Sequence, residues 1–164
     1  MVFSSPQEFI DKLNNWFNGL ISIPLLAVAY GYLEIFSGGL QGIYSFNDYL
    51  IGGIIVVLLS YSVFSTRAYK KTLTTFSKED LLSSRIDSYF NVSKQFYLQI
   101  FSVSLLAVIG LYLSGSIAFA GFYAFLLFLL SIYRPSLLTV ANKLGLLGHQ
   151  RDLFLKENTI SNEG

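Results

Sequence analysis

The residues of this chain whose types could support chemistry are few, and two of them are carboxylates at the ends of apolar segments. Glu34 stands near the end of one apolar segment, and Asp48 precedes the next. Because ionisable side chains in such segments often mark ion pathways, Glu34 is a candidate proton-coupling residue. Its place in the last turn also allows the alternative of an interfacial carboxylate in contact with water. Asp48 is positioned to cap the N-terminus of the following helix.

A stripe of polar residues is the second candidate. Its members follow one another at spacings of three and four, so they share one helix face. They are Asp87, Asn91, Gln95, Gln99 and Ser102. Gln99 falls within an apolar run, where its amide needs another helix or water as a partner. The stripe predicts either hydrogen bonds between helices or a vestibule for a polar solute, with Ser60, Tyr61 and Ser62 as neighbours.

Other kinds of chemistry find no support in the sequence. There is no cysteine, which excludes disulfides, iron–sulfur clusters and thiolate zinc sites. With His149 as the single histidine, a haem held by two histidines is impossible within one chain. A net charge of +1 gives no case for nucleic-acid binding, and no triad, zinc-protease or phosphate-loop motif occurs. We therefore predict a protein that is not an enzyme and uses no cofactor or metal.

The candidate residues belong to apolar segments long enough to cross a bilayer. The chain is 53% hydrophobic and 13% charged, whereas soluble domains are about 25% charged. A crossing helix needs about 20 mainly apolar residues. Four stretches qualify: 20–36, 49–65, 96–113 and 117–133. We predict an all-α, polytopic integral membrane protein, with residues 1–164 forming a single membrane domain of four transmembrane helices.

The basic residues predict the orientation of these spans. All 11 lysines and arginines precede the first span, lie between the second and third, or follow the fourth. The positive-inside rule then places both termini and the middle loop in the cytoplasm, most simply at the plasma (inner) membrane. An alternative is cleavage at Ala27-Val28-Ala29, which resembles a signal-peptidase site. Cleavage would leave three spans with the same loop orientations.

The segment before the first span is predicted to be an amphipathic helix over residues 5–18. Ser5 can cap it, Pro6 suits its first position, and Glu8 completes a capping box. We expect the chain to turn towards the bilayer at Gly19. The helix either lies in the membrane interface or covers the underside of the protein itself.

Two further segments outside the bilayer are predicted to be helical. Residues 67–94 form a helical hairpin with six basic and three acidic residues, which either sets the orientation or contacts anionic lipid or an acidic partner. Its first helix is predicted to extend the second span, and the hairpin turns at residues 74–76. Ser77 caps its second helix, which is predicted to run into the third span. Residues 134–157 form tail helices after a break at Pro135, and residues 158–164 are predicted to be disordered.

An apolar stripe on the hairpin is the candidate partner contact. It consists of Leu82, Ile86, Tyr89 and Phe90. The stripe either docks a partner protein or packs against the protein's own N-terminal helix or tail. We predict a non-catalytic scaffold or accessory subunit that contacts the lipid bilayer and a protein partner or second copy. The alternative is a small oligomeric transporter or channel that uses Glu34 or the Gln95 and Gln99 stripe.

Overall fold

The computed structural model describes residues 5–74, 82–146, 151–152 and 154–155, and the regular structure in these ranges is all helix. The predicted all-helical class is confirmed. α3 is the central helix, because it packs against α1, α2 and α4. The helices are α1 (Pro6–Phe36), α2 (Asp48–Thr74), α3 (Leu82–Ser114), α4 (Ala118–Ile132) and α5 (Leu137–Lys143).

Three helices of the described ranges are long and apolar enough to cross a membrane, namely α1, α2 and most of α3. α4 has 15 residues, or about 22 Å of helix, which is less than the roughly 30 Å of hydrocarbon in a bilayer. α4 and α5 qualify only as a pair, and they are bent by 73° at the break between them. The chain therefore has the features of a helical membrane protein with three candidate spans, and a fourth crossing stays a prediction.

α1 is one continuous helix, so the predicted turn at Gly19 is wrong. Its N-terminus is capped as expected, because the Ser5 hydroxyl accepts a hydrogen bond of 3.1 Å from the Glu8 N–H. Ending the helix at Gly19 would have left backbone groups without partners, and no side chain crowds this position. One face of α1 is instead buried on both sides of Gly19. Its buried residues are Pro6, Phe9, Ile10, Leu13, Phe17, Pro24, Val28 and Gly31.

The two arms of the hairpin continue the membrane helices, as predicted. α2 runs on from its apolar segment to Thr74, and α3 begins at Leu82 and continues into its own apolar segment. The predicted turn beyond Thr74 and the cap at Ser77 fall largely on residues 75–81, outside the described ranges. The hairpin arms and the candidate spans are thus the same two helices.

The tail begins with the helix break expected at Pro135. Proline has no N–H to donate, and the chain restarts at Ser136, whose hydroxyl accepts from the Thr139 N–H at 3.3 Å. α5 follows for seven residues. Further along the tail, the side chain of Phe154 is also buried. The predicted disorder of residues 158–164 lies outside the described ranges.

The buried apolar side chains form two clusters along the bundle. The first, here called the span core, joins the four longer helices through Val28, Ile51, Leu58, Val103, Ala107, Leu111, Phe119, Phe122, Tyr123 and Leu126. The second, here called the hairpin core, gathers the start of α1, both hairpin arms and the tail. Its largest members include Phe9, Leu13, Tyr69, Tyr89, Phe90, Phe96, Tyr97 and Phe154.

At the opposite end from the hairpin, the loop between α1 and α2 is fixed to the turn between α3 and α4. Gly42 (φ +76°) and Gly115 (φ +63°) both adopt left-handed conformations that favour glycine. A Cβ atom on Gly42 would lie 2.5 Å from the carbonyl carbon of Ser114. The Tyr44 N–H also donates to the Leu113 carbonyl at 2.9 Å. The two connections therefore form one joined surface.

Candidate functional site

Glu34 forms part of the C-terminal end of α1. Its carboxylate lies directly against Gly39, where a Cβ atom would displace it. Its backbone carbonyl accepts from the N–H groups of Gly39 and Leu40 at 2.9 and 3.0 Å. The backbone of Glu34 therefore takes part in ending the helix. Proton coupling at Glu34 stays a prediction.

The cap of α2 is one residue earlier than predicted. The Tyr49 N–H donates to Oδ1 of Asn47 at 3.2 Å, and the Asn47 carbonyl accepts from Leu50. Asn47 therefore caps the helix, and Asp48 is its first residue. Asp48 is exposed, and its charge lies next to the positive end of the helix dipole.

Two residues of the polar stripe on α3 line a groove between α2 and α3. The groove has a volume of about 120 Å³, which is room for a few water molecules. Gln95 and Gln99 both line it. Ser102 does not, since its exposed hydroxyl bonds back to the Leu98 carbonyl at 3.0 Å. The remaining lining residues are Ser65, Ala68, Tyr69, Thr72, Val92 and Phe96.

The part of α2 that lines the groove with Gln95 and Gln99 lies one to three helix turns from the neighbours predicted for them, so that prediction is wrong. Ser60 and Tyr61 are exposed, and Ser62 is buried with its hydroxyl bonded to the Leu58 carbonyl at 2.8 Å. The α2 residues that share the groove with Gln95 and Gln99 are Ser65, Ala68, Tyr69 and Thr72. The groove therefore lies nearer the hairpin than the sequence predicted, because hydropathy does not show which turn of α2 meets α3.

The structure does not bring Glu34 and the glutamines together. Gly31, one turn before Glu34, packs against Leu111 of α3. Leu111 is 12 residues beyond Gln99, which is about 18 Å along the helix axis. The interior between these levels includes the buried side chains of Val103 and Ala107. The two predicted polar sites are separated by packed apolar side chains.

The apolar stripe of the hairpin is packed inside the protein. Tyr89 is 1% exposed, and Ile86 and Phe90 are buried with it, while Leu82 packs against the same cluster. The ring of Phe9 in α1 meets the rings of Tyr89 and Phe90, each at a centroid distance of 6.1 Å. The burial of Ile86, Tyr89 and Phe90 favours the alternative that this stripe packs against the protein's own N-terminal helix, and a partner contact at Leu82 stays a prediction.

A lysine from the tail is enclosed by three tyrosines. The Nζ atom of Lys143 lies 5.2 Å from the ring centroid of Tyr69, 5.6 Å from Tyr133 and 6.0 Å from Tyr89. Tyr69 is itself fixed by stacking on Phe96 at 4.4 Å. Nothing in the sequence spacing of these tyrosines, which come from α2, α3 and the residue after α4, indicates that they meet around Lys143.

A second lysine lies on one of these rings. The Nζ atom of Lys70 is 5.8 Å from the ring centroid of Tyr133. α5 lies beyond the fourth apolar segment, and there burial, together with the charge of Lys70, lowers the pKa of Lys143 from its usual value. Within the described ranges, no carboxylate forms an ion pair with either lysine. Among the described residues, the site thus has two cations and no carboxylate paired with them.

Arg85 ties the tail to the start of α3. It is 7% exposed, and its Nη1 group donates to the Leu144 carbonyl at 2.8 Å. Its Nε atom is buried and has no hydrogen-bond partner among the described residues. At the other end of the tail helix, the Tyr97 hydroxyl donates to the Tyr133 carbonyl at 3.1 Å. α3 therefore holds both ends of the segment that contains α5.

No group of three or more histidine, cysteine, aspartate or glutamate side chains suited to a metal ion occurs in the described ranges. The chain matches no protein-family model, no curated protein and no solved structure.

Proposed function

We propose that this protein is a non-catalytic membrane scaffold or accessory subunit that offers its hairpin end to a protein partner. The observation that carries this proposal is the hairpin core. It joins residues as distant as Phe9 and Phe154 with both arms of the hairpin in one buried cluster. The surface at the hairpin end is therefore already ordered in the single chain. Such preorganisation lowers the entropic cost of binding a partner.

The interior of the bundle supports a scaffold better than a pathway for solutes. The buried serines Ser62 and Ser104 bond to carbonyls of their own helices, at 2.8 and 2.9 Å. Their hydroxyls are thus satisfied and not arranged around a shared polar space. The other buried side chains of the span core are apolar apart from Tyr123, whose hydroxyl donates to the Ile21 carbonyl.

The experiment is co-purification from native membranes in a mild detergent, with the mass of the intact complex measured. We expect a stoichiometric complex with another chain or a second copy. Tyr89→Ala should release the partner, because it empties the middle of the hairpin core while the span core stays intact. Helix content should be measured in parallel by circular dichroism.

The matched control is Phe128→Ala, which removes an aromatic ring that is 67% exposed on α4. This variant should keep the partner. If the wild-type protein is monomeric and alone in every mild detergent, the scaffold proposal fails. It also fails if Phe128→Ala and Tyr89→Ala release the partner equally.

A second candidate function, a small oligomeric transporter, rests on the groove that Gln95 and Gln99 line. A polar groove between two helices of a bundle is a starting point for solute binding. An oligomer could complete the pathway that the packed interior of one chain lacks. Glu34 would then serve as the coupling carboxylate.

Reconstitution into proteoliposomes tests this candidate. If transport occurs, Glu34→Gln should abolish proton coupling, and Gln99→Leu should reduce solute flux, with both proteins folded and inserted. Gln7→Leu is the control, since Gln7 is exposed and bonds only within α1. Solute movement that is equal in liposomes with and without the protein contradicts the transporter.

A further inference from the structure

Two lysines approach one aromatic ring at the junction of α2, α4 and α5. Lys70 and Lys143 lie 5.8 and 5.6 Å from the ring centroid of Tyr133. Like charges at this range repel, and neither lysine has a carboxylate partner within the part of the chain that is described. An anion from outside the chain would remove the repulsion.

One of the two cations is held in a fixed position. Lys143 is half-buried, and the rings of Tyr69, Tyr89 and Tyr133 surround its ammonium group. Cation–π contacts of this kind offset part of the cost of removing the charge from water. Because α5 is also anchored through Arg85, the ammonium is preorganised, while the exposed Lys70 is free to adjust.

The surroundings of the site indicate a lipid. Tyr133 directly follows α4, and Lys70 lies a few residues beyond the apolar part of α2, so both stand where an apolar segment gives way to a polar one. Large apolar side chains are exposed on the two helices beside them, namely Phe64, Phe128 and Ile132. These surfaces can take acyl chains while the lysines take a headgroup.

We propose that Lys70 and Lys143 bind the phosphate of an anionic phospholipid at the hairpin-side interface of the membrane, with Tyr133 between headgroup and acyl chains. Basic pockets between transmembrane helices on the cytoplasmic side of a membrane bind acidic headgroups. The cytoplasm is the side predicted for the hairpin. The site is independent of the scaffold function, since a lipid could occupy it with or without a protein partner.

The test is native mass spectrometry of the purified protein, titrated with phosphatidylglycerol or with phosphatidylcholine of the same acyl chains. We expect preferential binding of phosphatidylglycerol. Lys70→Gln should weaken it about fivefold, and the double variant with Lys143→Gln roughly 25-fold, from the usual contribution of a lysine near anionic lipid. Lys143→Arg should retain most of the binding, because it keeps the charge.

Lys94→Gln is the matched control. Lys94 also lies over an aromatic ring, at 4.5 Å from the centroid of Trp16, but without a second lysine on that ring. The Lys94→Gln variant should bind phosphatidylglycerol as tightly as the wild type does. A loss as large as that of Lys70→Gln would overturn the proposal, and so would equal binding of the two lipids by the wild type.

Two further measurements separate lipid binding from loss of stability and from binding of soluble phosphate. Thermal unfolding of each variant shows whether Lys143→Gln destabilises the hairpin core. If it does, only the lipid binding of Lys70→Gln, a substitution at an exposed position, is used to judge the proposal. Titration with glycerol phosphate distinguishes the sources of the phosphate. If the soluble phosphate binds through the same lysines as tightly as phosphatidylglycerol, the proposal of a lipid site is wrong.

Discussion

At the scale of single residues, Arg85 is a buried cation that donates to the tail. Its Nη1 group satisfies the carbonyl of Leu144 just beyond the end of α5, while its Nε atom has no partner within the described part of the chain. A cation at a helix C-terminus is stabilised by the helix dipole and by the free carbonyls there. The role of Arg85 is therefore to position the tail.

We expect Arg85→Met to lower the free energy of unfolding by about 1.5–3 kcal/mol, because the buried Leu144 carbonyl loses a charged donor. Denaturant unfolding in detergent measures this. Arg67→Met removes an exposed arginine from the same hairpin and should change stability by less than about 0.5 kcal/mol. Equal stability of the two variants would show that Arg85 does not hold the tail.

At the scale of elements, the packing of α3 against its neighbours depends on small residues. Gly31 of α1 approaches Leu111, and Gly110 of α3 faces the ring of Phe119 on α4. The Tyr112 hydroxyl also donates to the Ala27 carbonyl at 3.0 Å. Small residues at these positions let helix backbones approach each other closely in a bilayer.

We expect Gly110→Ala to destabilise the protein by about 1–3 kcal/mol, since its Cβ atom would lie 2.5 Å from the buried ring of Phe119. Gly53→Ala is the matched substitution on α2, where nothing lies within 4 Å. It should stabilise the helix by about 0.5–1 kcal/mol. Thermal unfolding in detergent should give shifts of opposite sign, and shifts of the same sign would contradict this packing.

What the sequence could predict was local. The cap at Ser5, the break at Pro135 and the continuation of the hairpin arms into apolar helices all depend on neighbouring residues. The failures at Gly19 and at Ser60, Tyr61 and Ser62 depend on contacts between helices. A glycine in a helical pattern stays helical when one face is packed along its whole length, and hydropathy does not fix which turns of two helices meet.

The candidate sites show the same difference between features visible in the local sequence and features that depend on the fold. Gln95 and Gln99 were found because a polar residue in an apolar run is visible in the sequence. The cage around Lys143 was not, because its three tyrosines come from α2, α3 and the residue after α4, and only the fold brings them together.

At the scale of the whole molecule, orientation across the membrane is the property that every functional proposal needs. The hairpin, the tail and the start of α1 meet in one core, so these three segments must lie on the same side of a membrane. The distribution of lysine and arginine predicts that this side is the cytoplasm.

Cysteine labelling tests the orientation, since the chain has no cysteine of its own. Ser45→Cys and Ser84→Cys place single thiols at exposed positions at opposite ends of the bundle. A membrane-impermeant maleimide should label Ser45→Cys in intact cells and Ser84→Cys only in inverted vesicles. Labelling of Ser84→Cys in intact cells would contradict the predicted orientation.

The composition of the hairpin core has a consequence for biosynthesis. Its members run from Phe9 to Phe154, so a growing chain cannot complete this core until Phe154 has left the ribosome. Until then the part of the core that α5 and Phe154 cover has no tail to pack against. We therefore expect a chain that stops before α5 to be degraded faster in cells than the full sequence, because buried apolar side chains of this core would be open to water.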